Sequence, residues 1–297
     1  MVSFDRLAIA VVFVALVLSP ARAADGKEQG TIAVVAAENF YGDIARQIGG
    51  DRVTVTSIMS NPDQDPHLFE TTPGIVRKIA AAQVVVYNGA DYDTWMEKLL
   101  QAAPRPGRLT TSVAALTAHK AGDNPHLWYD PTVMRRVARG FDAVFAKIDN
   151  AHVQDYRARL AAFEASLDAI DAKIAALRAK YSGAPVTASE PVFGYMAAAL
   201  GLTMRNERFQ LTIMNDTEPS ARDVAAFEQD LKEHKVRVMF FNKQAAGKIV
   251  QHLVELARAA NIPVVGITET MPPGMNYQGW MLDQLNATEK ALAGPPS

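Results

Sequence analysis

Short apolar runs alternate with amphipathic, helix-like segments along two stretches of the chain, residues 31–100 and 185–292. The apolar runs are rich in β-branched residues and are predicted to be strands, at 31–36, 53–59, 83–88, 185–189, 236–242 and 263–268. Helical periodicity is predicted between and after them, at 39–48, 72–80, 95–100, 192–200, 220–234, 249–260 and 277–292. Because strands that alternate with helices form parallel sheets, the pattern predicts two α/β lobes.

A long helical pattern separates the two stretches. Its apolar residues recur at alternating spacings of three and four, at Val153, Tyr156, Leu160, Phe163, Leu167, Ile170, Ile174, Leu177 and Tyr181. A helix of this length extends about 45 Å. A coiled-coil partner is one interpretation, but the chain has a single helix of this kind, so a seam packed against both lobes is favoured. A second helical pattern, at 132–147, precedes it.

These patterns predict a division of the chain. Residues 25–131 form the first lobe, 132–183 form linking helices that include the long backbone helix, and 184–297 form the second lobe. A helical link of this kind is expected to be rigid and to resist a large hinge closure.

The first 24 residues resemble a targeting segment. Arg6 precedes an apolar run at 7–18, and Ala21-Arg22-Ala23 has the small-x-small form of a cleavage site. The run is short for a membrane-spanning helix, so the pattern predicts a secretory signal peptide cleaved near Ala23/Ala24, with an uncleaved anchor as the alternative. The mature chain is expected in the periplasm.

Composition narrows the possible chemistry. The 297 residues include 30 Lys and Arg against 32 Asp and Glu, a formal net charge of −2, which offers no electrostatic basis for binding nucleic acid. The absence of cysteine excludes disulfides, thiolate metal sites, a cysteine nucleophile and lipoprotein attachment within this sequence. Any metal must therefore be held by His or oxygen donors. We expect a free monomer rather than a lipoprotein.

Two loops of the first lobe share a Pro-His form. They are Asp65-Pro66-His67 and Asn124-Pro125-His126, and each is predicted at a strand-to-helix junction. Proline stiffens the loop and so restricts the direction of the following imidazole. Because ligands of open α/β sheets bind at the carboxyl ends of strands, His67 and His126 are candidate metal ligands.

The second lobe offers two matching carboxylates. Glu190 and Glu269 each follow a predicted strand and precede a Pro-containing segment. A glutamate at a helix start is commonly a cap, which is the alternative role for Glu190. Three further residues at strand ends, Tyr87, Asn88 and Asn242, are candidate partners for the ligating imidazoles.

Several motifs resemble the metal-binding proteins of zinc/manganese ABC importers, known as cluster A-I. They are residues 61–73 (NPDQDPHLFETTP), 84–89 (VVVYNG), 95–99 (WMEKL), 124–131 (NPHLWYDP), 190–195 (EPVFGY) and 201–202 (GL). The resemblance spans nearly the whole mature chain in order. It implies two lobes joined by a rigid helix, with one metal between them and an ABC permease as the partner. Matched position by position, the resemblance implies that the metal has four ligands, His67, His126, Glu190 and Glu269.

The sequence also departs from that family in ways that concern the metal. Glu190 stands where zinc-type members usually have His and manganese-type members have Glu, and Glu269 stands where Asp is usual. The segment 107–123, where zinc-type members carry a His- and acid-rich loop, contains only His119. His119 is either a capture residue or an ordinary solvated loop residue. Two imidazoles and two carboxylates suit zinc, manganese or ferrous iron, so the cargo is predicted to be Zn²⁺ or Mn²⁺, with Fe²⁺ possible.

The predicted function is capture of a divalent metal in the periplasm and its delivery to an ABC importer. The alternative is an exported zinc-dependent hydrolase. A catalytic zinc site keeps three protein ligands and an open position, whereas four candidate ligands close the site here. No HExxH or nucleophile-elbow motif occurs in the sequence, which favours the binding protein over the enzyme.

Overall fold

The parallel sheets that the pattern predicts are present in both lobes. The computed structural model describes residues 30–61, 69, 71–245 and 247–294. In the first lobe the elements are β1 (Ile32–Glu38), α1 (Asn39–Gly49), β2 (Val53–Met59), α2 (Pro73–Ala81), β3 (Val84–Tyr87), α3 (Thr94–Ala102), β4 (Leu109–Ser112) and α4 (Val113–Thr117). Its four strands are all parallel and lie in the order β2-β1-β3-β4.

The second lobe repeats this order with different strands. Its elements are β5 (Pro185–Ala188), α8 (Gly194–Ala199), β6 (Thr203–Arg205), α9 (Glu207–Met214), α10 (Ala221–Lys232), β7 (Val238–Asn242), α11 (Lys248–Ala259), β8 (Val264–Ile267) and α12 (Tyr277–Ala293). The sheet order is β6-β5-β7-β8, again parallel throughout. In each lobe the order in which strands are added therefore reverses between two neighbouring strands, β1 and β3 in the first lobe and β5 and β7 in the second. Ligands of such sheets bind at this point.

A helical connection joins the lobes, as the periodicity predicts. It consists of α5 (Pro131–Ile148), α6 (Val153–Ser166) and α7 (Asp168–Tyr181). Leu167 separates α6 from α7, yet its φ of −78° and ψ of −14° keep it in the helical region. Among the seam residues, Tyr156, Phe163, Leu167, Ile170, Leu177 and Tyr181 are buried and Val153, Leu160 and Ile174 are half-buried. The long helix thus packs its seam within the chain.

The principal hydrophobic core extends through both lobes. It includes β1 and β3 residues of the first lobe together with β5, β7 and α12 residues of the second. Near its centre the Phe40 ring lies 4.6 Å from Trp128 and 5.8 Å from Trp280, measured between ring centroids. The two lobes consequently share one buried interior rather than meeting at a wet surface.

Polar contacts reinforce this junction beside the cleft. The Asn39 side chain donates to the Met271 carbonyl at 2.7 Å and accepts from the Met271 N–H at 3.1 Å. Tyr129 donates its hydroxyl to the Thr268 carbonyl at 2.8 Å. These contacts hold the loop after β8, which carries Glu269, against the first lobe.

Four short elements are missing from the sequence-based expectation, namely β4, α4, β6 and α9. Both are edge strands of only three or four residues, and neither contains a fully buried residue. Their sequences, LTTS and TMR, therefore lack the apolar run that marks the central strands. Among the described residues, no helix combines the length and apolar character needed to cross a membrane.

Candidate metal centre

The carboxyl ends of the second-lobe strands bring two acids together. Glu190 lies two residues beyond β5 and is 4% exposed, and Glu269 lies two residues beyond β8 and is 1% exposed. Asn242, the last residue of β7, stands between them: its Nδ2 donates to Glu190 Oε2 at 2.7 Å and to Glu269 Oε1 at 2.5 Å. One amide group thus fixes the spacing of both carboxylates.

The geometry also bears on whether Glu190 is only a helix cap. Glu190 occupies the N-cap position of a short 3₁₀ helix, Pro191–Phe193, but its side chain makes no capping hydrogen bond there. Its carboxylate is turned instead toward Asn242. The Glu190 side chain therefore serves the Asn242 contact rather than a capping hydrogen bond.

The backbone of the Glu269 loop is held by Gln244. Gln244 Oε1 accepts the N–H of Glu269 at 2.5 Å and that of Thr270 at 3.2 Å. The Gln244 amide group in turn donates to the Thr270 hydroxyl at 3.1 Å. The loop after β8 is thus fixed from both the second lobe and, through Asn39, the first.

His126 enters the same space from the first lobe. It is fully buried, and its Nδ1 lies 2.6 Å from Asn124 Oδ1. Its Nε2 faces Glu269 Oε2 at 3.5 Å and makes no hydrogen bond within the described part of the chain. With the hydrogen on Nδ1, Nε2 carries the lone pair of the ring and faces the carboxylate oxygen, an arrangement that a cation between the two atoms would stabilise.

That separation matches two ligands of one metal ion. With metal–donor distances near 2.1 Å and tetrahedral angles, the donor atoms of two ligands are about 3.4 Å apart. The distance from His126 Nε2 to Glu269 Oε2 is 3.5 Å. His67 lies outside the described residues, and among those described no group of three or more His, Asp or Glu side chains is arranged to hold a metal.

Asn88 supports the His126 loop through the backbone. Its Nδ2 donates to the Pro125 carbonyl at 2.8 Å, and its Oδ1 accepts the Tyr41 hydroxyl at 2.6 Å. Asp93 accepts the backbone N–H groups of Asn88 and Gly89, at 2.6 and 2.7 Å. Asn88 thus holds the backbone of Pro125, the residue before His126.

Within the described part of the chain, the hydrogen bonds of Asn88 and Asn242 go to groups other than the His126 ring. Asn88 binds a carbonyl next to His126, and Asn242 binds carboxylates. Tyr87 lies on the other face of the first sheet, packed against a separate core cluster. Tyr87 faces this way because neighbouring residues of a strand point to opposite faces of the sheet.

His119 is half-buried at the edge of the first lobe. Its Nδ1 lies 2.8 Å from the Thr117 hydroxyl, and its ring meets the Tyr195 ring edge-on at 5.7 Å. The Thr117 hydroxyl already donates to the Val113 carbonyl at 2.7 Å, so His119 donates to it. These contacts give His119 a structural role in packing the loop that leads to Asn124.

Sequence reasoning did not single out Glu38, the last residue of β1. It is 2% exposed and lies at the carboxyl end of a central strand, the placement that identified Glu190 and Glu269. Burial, followed by the nearby Asp93 carboxylate, raises the pKa of Glu38 well above its usual range. Burial also raises the pKa of Asp93 to about 6. Glu38 and Asp93 form a buried acid pair beneath the His126 loop.

This pair predicts a pH dependence of stability. A carboxyl whose pKa is higher in the folded state stabilises the fold at low pH, and that stability is lost as pH rises through the folded pKa. For Asp93, a rise from 3.8 to about 6 corresponds to about 3 kcal/mol lost as pH rises from about 4 to beyond 6. Glu38 adds a further loss in the same direction.

We expect Glu38→Gln to reduce this loss, because the amide keeps the size of the buried side chain but cannot ionise. Urea unfolding of the metal-free protein at pH 5 and pH 8 measures the effect. Wild type should lose more stability over this interval than Glu38→Gln does, while the exposed Glu97→Gln should behave as wild type. Equal losses in wild type and Glu38→Gln would show that Glu38 is ionised or solvated in the fold.

The fold and the buried donors at the interlobe junction define a class: two-lobed substrate-binding proteins whose lobes are joined by a long helix. A profile of the ZnuA family, described as zinc-uptake complex component A, periplasmic, matches residues 34–291. The chain belongs to this family, whose members are solute-binding components of ABC transporters and not enzymes.

Individual relatives agree on the class and differ in the metal. The chain is 26% identical to the manganese-binding lipoprotein MntA of Bacillus subtilis, over 87% of this chain and 89% of that one. It is 25% identical to the iron-binding protein YfeA of Yersinia pestis, over 72% and 70%. The structure of the periplasmic zinc-binding protein TroA of Treponema pallidum matches with a TM-score of 0.74 at 21% identity, covering 89% of this chain and 99% of that one.

Proposed function

We propose that this protein captures one divalent transition-metal ion between its lobes and delivers it to the permease of an ABC importer. The proposed ligands are His67 and His126 from the first lobe and Glu190 and Glu269 from the second. The observation that carries the proposal is the buried approach of His126 Nε2 to Glu269 Oε2, 3.5 Å apart across the lobe junction. Family membership supports the same function.

The donor set bears on the cargo. Two imidazoles with two carboxylates accept zinc, manganese or ferrous iron, and intrinsic affinity rises from manganese to zinc. A carboxylate at position 190 allows bidentate binding, which gives manganese the additional contacts it takes above four. We infer a Zn²⁺ or Mn²⁺ cargo, with Fe²⁺ as the third candidate, and relatives named for each of these metals accord with that range.

Metal titration tests the proposal. We expect one equivalent of Zn²⁺ to bind the metal-free protein and to raise its melting temperature by about 10 °C, because ligand at 1,000 times Kd stabilises by about 4 kcal/mol. Competition between Zn²⁺ and Mn²⁺ at buffered free concentrations then ranks the two metals. No bound metal and an unchanged melting temperature under metal-replete conditions would contradict the proposal.

We also propose that residues 1–24 direct export and that cleavage near Ala23/Ala24 releases a monomer into the periplasm. The relative MntA is named a lipoprotein, whereas the 297 residues here include no cysteine to which a lipid is attached. Fractionation and intact mass of the exported protein test this. A soluble periplasmic chain beginning at residue 24 or 25 supports the proposal, and a membrane-bound chain that retains residues 1–24 contradicts it.

A further inference from the structure

The Asn124 side chain contacts both lobes next to the proposed ligands. Its Nδ2 donates to the Pro191 carbonyl at 2.8 Å, and Pro191 directly follows Glu190. Its Oδ1 lies 2.6 Å from His126 Nδ1 and 3.2 Å from the His126 backbone nitrogen. A single amide therefore contacts a proposed ligand of the first lobe and the backbone beside a proposed ligand of the second.

The backbone contacts determine which way this amide points. The Pro191 carbonyl can only accept a hydrogen bond, so the Asn124 atom facing it is the NH₂ group. The His126 backbone N–H can only donate, so the atom facing it is the oxygen. Because that same oxygen faces the imidazole, the ring nitrogen beside it, Nδ1, carries the hydrogen. Nε2 of the neutral ring is then the lone-pair donor, aimed at Glu269.

The second lobe leaves room for this amide. A Cβ atom on Gly194 would lie 2.9 Å from Asn124 Nδ2. Gly194 has φ of −57° and ψ of −48°, ordinary helical values, so its backbone conformation does not require glycine. What the missing side chain provides is space for Asn124. Tyr195, the next residue, donates its hydroxyl to the Asn124 carbonyl at 2.7 Å.

We propose that Asn124 is a positioning residue that couples the tautomer of His126 to the contact between the lobes. While Pro191 accepts from Asn124, the amide cannot rotate, and His126 presents Nε2 to a divalent metal. When the Asn124–Pro191 hydrogen bond breaks, the amide loses that restraint and the ring gains access to the other tautomer, which lowers its affinity for the metal. The metal-binding part rests on the proposed function, whereas the tautomer is a property of the metal-free protein.

Three substitutions separate the parts of this proposal. Asn124→Leu removes both contacts. Asn124→Asp keeps an acceptor for His126 Nδ1 and so conserves the tautomer-setting contact. Gly194→Ala changes neither Asn124 nor any proposed ligand, but its added methyl group, which belongs to the second lobe, displaces the Asn124 amide. Gly140→Ala, in α5, is the matched control, because its added Cβ meets only Leu116 at 3.6 Å, an ordinary contact.

The first measurement is the nitrogen-15 chemical shifts of the His126 ring in the metal-free protein, at a pH where the ring is neutral. Wild type, Asn124→Asp and Gly140→Ala should show hydrogen on Nδ1. Asn124→Leu should show a mixture of tautomers, and Gly194→Ala should shift in the same direction. That last result, a tautomer in the first lobe altered by a methyl group in the second, would not follow from a merely structural role of Asn124.

The second measurement is Zn²⁺ affinity and its rate of release to a chelator. We expect Asn124→Leu to weaken binding about 10- to 100-fold and Gly194→Ala to release Zn²⁺ several-fold faster than Gly140→Ala. The proposal is overturned if Asn124→Leu keeps the wild-type tautomer, or if Gly194→Ala matches Gly140→Ala in both measurements. Failure of wild type to bind Zn²⁺ would instead contradict the proposed function, since the ring shifts are read without metal.

Discussion

Replacing His126 with alanine should weaken metal binding about 100- to 1,000-fold. Four-ligand zinc sites bind with about 10–16 kcal/mol, or about 3 kcal/mol per ligand, and each 1.4 kcal/mol is a factor of ten in affinity. His126 is fully buried and faces Glu269 across the lobe junction, so no solvent-exposed group can substitute for it. Equilibrium competition with a chelator of known affinity measures the change.

His252→Ala is the matched control, because His252 is a surface histidine paired with Glu228 at 3.1 Å and remote from the cleft loops. It should bind metal as wild type does. Glu269→Gln, which keeps the shape of the side chain and removes its charge, tests Glu269 as a ligand. A melting curve of each metal-free variant shows whether it folds. Unchanged affinity in a folded His126→Ala protein would contradict the assignment of His126, and unchanged affinity in Glu269→Gln would remove Glu269 from the ligand set.

Replacing Trp280 with alanine should cost about 3–5 kcal/mol of stability, the usual cost of deleting a buried large aromatic side chain. Trp280 is fully buried, lies 5.8 Å from Phe40 and 5.6 Å from Tyr129 between ring centroids, and donates its Nε1–H to Thr268 at 3.1 Å. Phe40 and Tyr129 belong to the first lobe, so the loss falls on the core that both lobes share.

Urea unfolding followed by fluorescence and circular dichroism measures this cost and its cooperativity. We expect one transition, shifted to lower urea, because one core serves both lobes. Trp95→Ala is the comparison: Trp95 is half-buried at the margin of a separate cluster and stacks with Phe69 at 4.2 Å. It should lose clearly less stability than Trp280→Ala. Two separate transitions in Trp280→Ala would show that the lobes fold independently.

Much of the fold follows from local patterns in the sequence. β2 spans Val53–Met59, as its alternating residues predict, and α12 begins at Tyr277, also as predicted. The central strands and the long helix are recognisable because their apolar residues are buried by contacts within the chain. The strands β4 and β6 are not, since they have only four and three residues and none of these is fully buried. The domain boundaries 25–131, 132–183 and 184–297 stay a prediction.

The candidate site is predictable where a strand end delivers an acid, and less so where side chains support one another. Glu190 and Glu269 are recognisable by position, and both are buried and bonded to Asn242. The same rule applies to Glu38, which was missed because a glutamate before a helix has many ordinary roles. The bridging amides of Asn242 and Asn124 depend on residues distant in sequence, such as Glu269 and Pro191. Such contacts leave no periodic signal.

The most direct test of the central claim is a crystal structure of the metal-loaded protein with anomalous scattering recorded at the metal's absorption edge. The account predicts one anomalous peak between the lobes, within bonding distance of His67, His126, Glu190 and Glu269. A peak elsewhere, or one in the cleft held by other residues, would contradict it.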